Sequence, residues 1–208
     1  MSKIKAVLFD MDGVLIDARD WHYEALNEAL GLFGLSISRY DHLHTFDGLP
    51  TREKLKLLSE QYYLPVELHG FINQVKQKNT KRKINENCHP VFQHEYALSR
   101  LKADGKRIAV CSNSIRDTIE TMMDYAELTP YLELIVSNED VHKAKPDPEM
   151  YEVAISKFGL NPKECLVVED NINGVKAAVA SGAYVLKVDS PVDVTYDLIT
   201  NKIAEVEK

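Results

Sequence analysis

Five short apolar runs, most of them separated by stretches of helical character, constrain the fold of this chain more than any other feature. They are Ala6 to Phe9, Arg107 to Cys111, Leu134 to Val136, Cys165 to Val168 and Tyr184 to Val188. None shows the polar alternation of a strand with one wet face, so each predicts a strand covered on both sides. Helical patterns at Arg116 to Tyr125, Pro148 to Phe158 and Gly174 to Ala180 separate the later runs, the last closed by Gly182. Strand alternating with helix predicts an α/β core with a Rossmann-like, doubly wound parallel sheet and right-handed crossovers. Between Asp17 and Asn87 this rhythm stops. Trp21 to Leu32, Arg52 to Tyr62 and Val66 to Gln77 read as helices with no apolar strand among them. The expected division is a core of residues 1–16 and 88–208 with a helical insertion of residues 17–87. The basic string KQKNTKRK, Lys76 to Lys83, reads as a solvated helix face or a return linker.

Chemistry concentrates where these strands end. Asp10 and Asp12 follow the first run with one residue between them, and an open parallel sheet binds ligands at the carboxyl ends of its strands. One such carboxylate can bind Mg²⁺ and attack phosphorus, while the other donates a proton to the leaving oxygen and later activates water. Gly13 allows a tight turn there. After the second run, Ser112-Asn113-Ser114 offers a hydroxyl, an amide and helix-start N–H groups to an anion, or simply caps the next helix. Lys145 stands before Pro146 and a helix start, where its ammonium can point inward at phosphate or outward at solvent. Glu169 and Asp170 end the fourth run. Asp10 with Asp170 would supply the one or two carboxylates Mg²⁺ commonly takes, with Glu169 ligating through water or orienting the others; alternatively Asp170 or Asn171 caps the following helix.

The net charge of -7 predicts a small partner rather than nucleic acid or an anionic membrane, either of which favours a basic face. No apolar stretch is long enough for a membrane span, and the start of the chain carries no cleavage signature. Cys88, Cys111 and Cys165 have neither disulfide-framework nor zinc spacing, which fits a reducing compartment. A soluble cytoplasmic protein is therefore expected, and the sequence leaves monomer and homodimer open.

Together these segments resemble the haloacid dehalogenase-like superfamily over nearly the whole chain. FDMDGVLID is similar to its first motif, CSNS to the second, KAKPDP to the third and VVEDNINGVKAA to the fourth. The resemblance implies Asp10 as nucleophile and Asp12 as general acid/base and, through its backbone carbonyl, a metal ligand. It implies Ser112 and Lys145, and less directly Asn113, as phosphate holders, and Asp170 as the remaining protein ligand of Mg²⁺, with a lesser role for Glu169. Asp12 and the Glu169-Asp170 pair favour phosphoryl over haloalkanoate chemistry, and the presence of Asp10, Asp12 and Asp170 argues against a non-catalytic binding module.

The insertion resembles the small helical cap of the β-phosphoglucomutase-like branch. Its matching positions are His22, the Gly48, Thr51 and Arg52 string, and Lys78. His22 would reach the general acid, and Arg52 with Arg116 would hold a second part of the substrate. Taken singly, His22 also reads as a helix histidine, Thr51 as an N-cap and Lys78 as a surface lysine. Ile115 and Arg116 stand where the mutase pattern continues with lysine and asparagine. The expectation is a Mg²⁺-dependent phosphatase acting on a small phosphorylated metabolite, of sugar-phosphate type, through an aspartyl-phosphate; a phosphomutase is the alternative.

Overall fold

The computed structural model describes residues 3–208, so the first two residues of the charged start and of the expected core lie outside the described residues. Strands β1 (Ala6–Phe9), β2 (Arg107–Cys111), β3 (Leu134–Val136), β4 (Cys165–Glu169) and β5 (Tyr184–Lys187) pair in parallel in the order β3-β2-β1-β4-β5. The chain winds outward from β1 through β2 to β3, then returns to the other side of β1 at β4. The crevice between β1 and β4 is thus the switch point at which such sheets bind ligands.

Side-chain alternation divides the core between the two faces of the sheet. On one face Val7, Phe9, Ile108, Val110, Leu166 and Val168 meet helices α5 (Phe92–Ala103), α6 (Arg116–Tyr125) and α9 (Tyr196–Val206). On the other, the smaller Ala6, Leu8, Ala109, Cys111, Cys165 and Val167 pack against α7 (Glu149–Lys157) and α8 (Ile172–Ala180). Each large apolar side chain buried in this way stabilises the fold by about 1.5–3 kcal/mol relative to exposure. β1 and β4 are buried along their whole length, as the apolar runs predict. β3 and β5 are only partly buried, because they sit at the sheet edges.

The segment after β1 is helical: α1 (Arg19–Gly31), α2 (Arg39–Asp41) running into a π-helical turn (His42–Phe46), α3 (Thr51–Tyr62) and α4 (His69–Asn87). It has its own apolar cluster, including Leu26, Leu30, Phe46, Leu55, Leu58 and Ile72. α4 runs well beyond the expected end at Gln77, since no glycine or proline interrupts the chain until Pro90. This rules out a return linker for KQKNTKRK, and the solvated helix face holds for Lys78, Lys81 and Arg82 but not for Lys76 and Lys83. Ile72, Lys76, Thr80, Lys83 and Ile84 form the buried stripe of α4. Lys83 pairs with Glu24 and Glu28, Arg82 with Glu28, and Lys81 with Asp117, so the string joins α4 to α1 and α6. Among the described residues, no helix is long and apolar enough to cross a membrane.

Candidate active site

Asp10 is the first residue beyond β1, and its N–H donates to the Val168 carbonyl at 3.0 Å, holding it level with the end of β4. Lys145 reaches it from the loop after β3. The buried ammonium donates to Asp10 Oδ1 at 2.6 Å, Glu169 Oε1 at 2.7 Å and the Cys111 carbonyl at 2.8 Å, and lies over the Tyr151 ring. Burial pushes the Asp10 carboxyl well above the ordinary carboxylate range against the pull of Lys145, and Glu169, Asp170 and Asp12 add to the rise. Burial works against the Lys145 ammonium, but Asp10 and Glu169 outweigh it and hold its pKa above the usual lysine value.

Glu169 accepts from the Tyr151 hydroxyl at 2.6 Å and from the Asp170 N–H at 3.2 Å. A Cβ on Gly174 would collide with its carboxylate, so the glycine lets α8 approach. Tyr151→Phe removes one partner of this buried carboxylate. It is expected to lower unfolding stability by about 1–3 kcal/mol, read from the urea denaturation midpoint.

Asp12 faces the inserted helices. Its carboxylate meets His22 Nε2 at 3.1 Å and accepts from the Ser114 hydroxyl at 3.3 Å, while His22 Nδ1 lies 3.2 Å from Lys76 Nζ. Burial opposes ionisation of Asp12, but His22, Lys76 and Ser114 overcome it and bring its pKa below the usual value. Burial lowers the His22 pKa despite Asp12.

The chemistry of the donor set fits a hard divalent cation. Oxygen atoms of Asp10, Glu169 and Asp170 lie within 4.8 Å of one another. Asp170 Oδ1 is buried without a hydrogen-bond partner among the described residues, while Oδ2 accepts from Arg19 at 2.9 Å. Burial, then the neighbouring Glu169 charge, pushes the Asp170 carboxyl up to about 6. Gly13, at φ 89°, leaves the space this carboxylate occupies, and any Cβ there would overlap it.

The model of the haloacid dehalogenase-like hydrolases matches residues 7–188, from β1 to the end of the sheet. The chain belongs to this family. Among relatives of this haloacid dehalogenase-like hydrolase, the "Probable pseudouridine-5'-phosphatase YKL033W-A" of Saccharomyces cerevisiae is 31% identical, covering 90% of this chain and 84% of its own. A phosphorylated carbohydrates phosphatase of Thermotoga maritima is 28% identical, covering 86% and 82%. The β-phosphoglucomutase of Clostridium difficile superposes with a TM-score of 0.85 at 22% identity, covering 97% of this chain and 98% of its own, a likeness of fold.

In this haloacid dehalogenase-like hydrolase the remaining expected site residues divide. Ser112, Asn113, His22, Gly48, Thr51 and Arg52 line the cavity with the carboxylates, Arg52 from an exposed position beside Glu53. Ser112 Oγ accepts from the Ser114 N–H at 3.1 Å, and the Arg116 N–H donates to Glu139 at 2.7 Å. These two amides, just before and at the start of α6, are thus hydrogen-bonded internally. Asn113 donates to the Gly48 carbonyl at 2.8 Å, and Asn171, the side-chain cap of α8, donates to Asp47 at 3.2 Å. These bonds, with Arg19 to Asp170, tie the inserted helices down over the strand ends.

Two expected substrate contacts lie elsewhere. Lys78 is exposed and outside the cavity lining, because α4 turns Lys76 inward instead. Arg116 also lies outside it, held by Asp140 at 2.6 Å and the Ile135 carbonyl at 3.3 Å. Sequence reasoning missed Lys76, Lys54, His42, Arg19 and Tyr151. Only Lys76 left a signal, its four-residue spacing from Ile72 and Thr80.

Proposed function

We propose that this chain is a Mg²⁺-dependent phosphomonoester hydrolase acting on a small phosphorylated metabolite, of sugar-phosphate type, through an aspartyl-phosphate on Asp10. Residues 17–87 act as a cap over a core of 1–16 and 88–208. The observation that carries this reading is the convergence of Asp10, Asp12, Lys145 and Asp170 at the β1–β4 crevice, with the Asp12–His22 contact reaching across from the inserted helices.

Asp10 attacks phosphorus in line with the leaving oxygen, and Lys145 stabilises charge on the transferred oxygens. Asp12, which enters this step in its protonated form with His22 hydrogen-bonded to its carboxyl, gives its proton to the leaving alcohol. Asp12 then takes a proton from the water that attacks the aspartyl-phosphate, which releases phosphate and restores Asp10. Ser112 and Asn113 line the phosphate end of the cavity. Asp10, the backbone carbonyl of Asp12 and Asp170 would hold Mg²⁺, with Glu169 behind them; when bound, the ion neutralises phosphate charge and the crowded acids.

The alcohol portion has room in a cavity of about 390 Å³. Engagement of Arg116 by Asp140 removes one expected holder of a second phosphate and favours hydrolysis over a mutase.

A panel of sugar phosphates with Mg²⁺ tests the reading. Free phosphate that disappears with EDTA is the expected result. Glucose 6-phosphate formed from β-glucose 1-phosphate and catalytic β-glucose 1,6-bisphosphate, without net phosphate release, would overturn it in favour of a mutase. Added Mg²⁺ is also expected to raise the thermal midpoint of the wild type and to raise that of Asp170→Asn much less, since a ligand that binds only the folded state stabilises it.

A further inference from the structure

Away from the carboxylates, the cavity has a second polar wall that phosphoryl transfer does not use. Lys54 of α3 is only 7% exposed, lines the cavity, and makes no hydrogen bond or ion pair within 4.0 Å among the described residues. The carboxylates that influence it are Asp47 and the more weakly felt Asp12. Asp47 is itself held by Arg19 at 3.4 Å and Asn171 at 3.2 Å.

His42 of the π-helical turn lines the same cavity at 1% exposure, and both its ring nitrogens lack a hydrogen-bond partner among the described residues. Its Nε2 is 4.0 Å from Asp47, outside hydrogen-bond reach. Burial, then Lys54, depresses its pKa to about 4, so at neutral pH the ring offers one N–H donor and one acceptor. Lys76 of α4 feels the same surroundings, its pKa lowered to about 7 by burial and then by Lys54.

Buried cations without close anions and a buried imidazole without partners are costly to keep, and here they come from separate elements around one cavity. A neutral alcohol would satisfy hydrogen bonds but leave the positive charge uncompensated. An anion would satisfy both.

We propose that Lys54 and His42 form a leaving-group subsite that selects phosphomonoesters whose alcohol portion carries a second anionic group, a carboxylate or a phosphate. This rests on the phosphomonoesterase reading and names its substrate class. Lys54 donates to the anionic tail, and the His42 N–H adds a second contact.

Matched substrates test it. The carboxylate arm compares 2-phosphoglycolate with 2-hydroxyethyl phosphate; the phosphate arm compares fructose 1,6-bisphosphate with fructose 6-phosphate. The wild type should favour the anionic member of at least one pair by about tenfold or more in kcat/KM, the size of effect expected for charge-assisted contacts. The arm that responds identifies the tail. Lys54→Met should bring that ratio to near one, Lys54→Arg should keep most of it, and His42→Gln should reduce it. Calorimetric titration of the matched pair into full-length Asp10→Asn protein should show the same preference in Kd without turnover.

Phosphate release with a wild-type ratio near one on both arms would overturn the subsite and leave the hydrolase reading standing. A ratio unchanged in folded Lys54→Met would also overturn it. No phosphate from any substrate, p-nitrophenyl phosphate included, would remove both.

Discussion

Asp10→Asn is expected to reduce phosphate release by about four orders of magnitude or more while leaving the fold intact, because the amide keeps the shape of the carboxylate but cannot act as the nucleophile. The amide oxygen can still accept from Lys145, which retains Glu169 and the Cys111 carbonyl as partners. The substitution also removes one negative charge from beside Glu169, Asp170 and Asp12, whose charges raise the Asp10 pKa. The thermal midpoint should therefore stay level or rise. Steady-state turnover and a melting curve of the same preparation measure both expectations. Turnover within about tenfold of wild type would exclude Asp10 as the nucleophile.

Lys145→Met should have the largest effect on stability, with loss of about 3–5 kcal/mol, the usual consequence of removing one partner from a buried ion pair. Asp10 Oδ1 and Glu169 Oε1 would lose the ammonium that holds them together. In the wild type, Lys145 has a folded pKa raised above its unfolded value. Its contribution is thus fully present below the unfolded lysine pKa and is lost only as pH rises through the folded one.

Without Lys145, the pull that opposes the rise of the Asp10 pKa is gone. The folded variant then binds more protons than the unfolded chain from the ordinary carboxylate range upward, so its stability falls as pH rises. Urea denaturation of both proteins should show a deficit at pH 8 larger than that at pH 5. A deficit independent of pH would mean that Lys145 contributes by packing rather than charge.

Much of the core could be read along the chain because its signals are local. An apolar run such as Ala6 to Phe9 has no polar alternation, and the structure covers it on both faces. Helices α5 and α9 escaped that reading, since exposed Phe92, Tyr96 and Leu198 blur their apolar period. The far half of α4 escaped because a lysine-rich string looks the same whether it is solvated or paired with Glu24, Glu28 and Asp117.

What the sequence determined by itself is the parallel sheet and the acids at its strand ends, Asp10, Asp12, Glu169 and Asp170. Side chains that follow directly on adjacent strands are brought together by the register alone. What only the tertiary structure decided is which basic groups of the inserted helices face those acids. Lys76 turns inward and Lys78 outward on the same helix, Lys54 points into the cavity beside exposed Arg52, and Asp140 holds Arg116 away. The reason is physical: helix phase and the docking of α1, α3 and α4 over the sheet depend on packing between residues far apart in the chain, and no short window contains them.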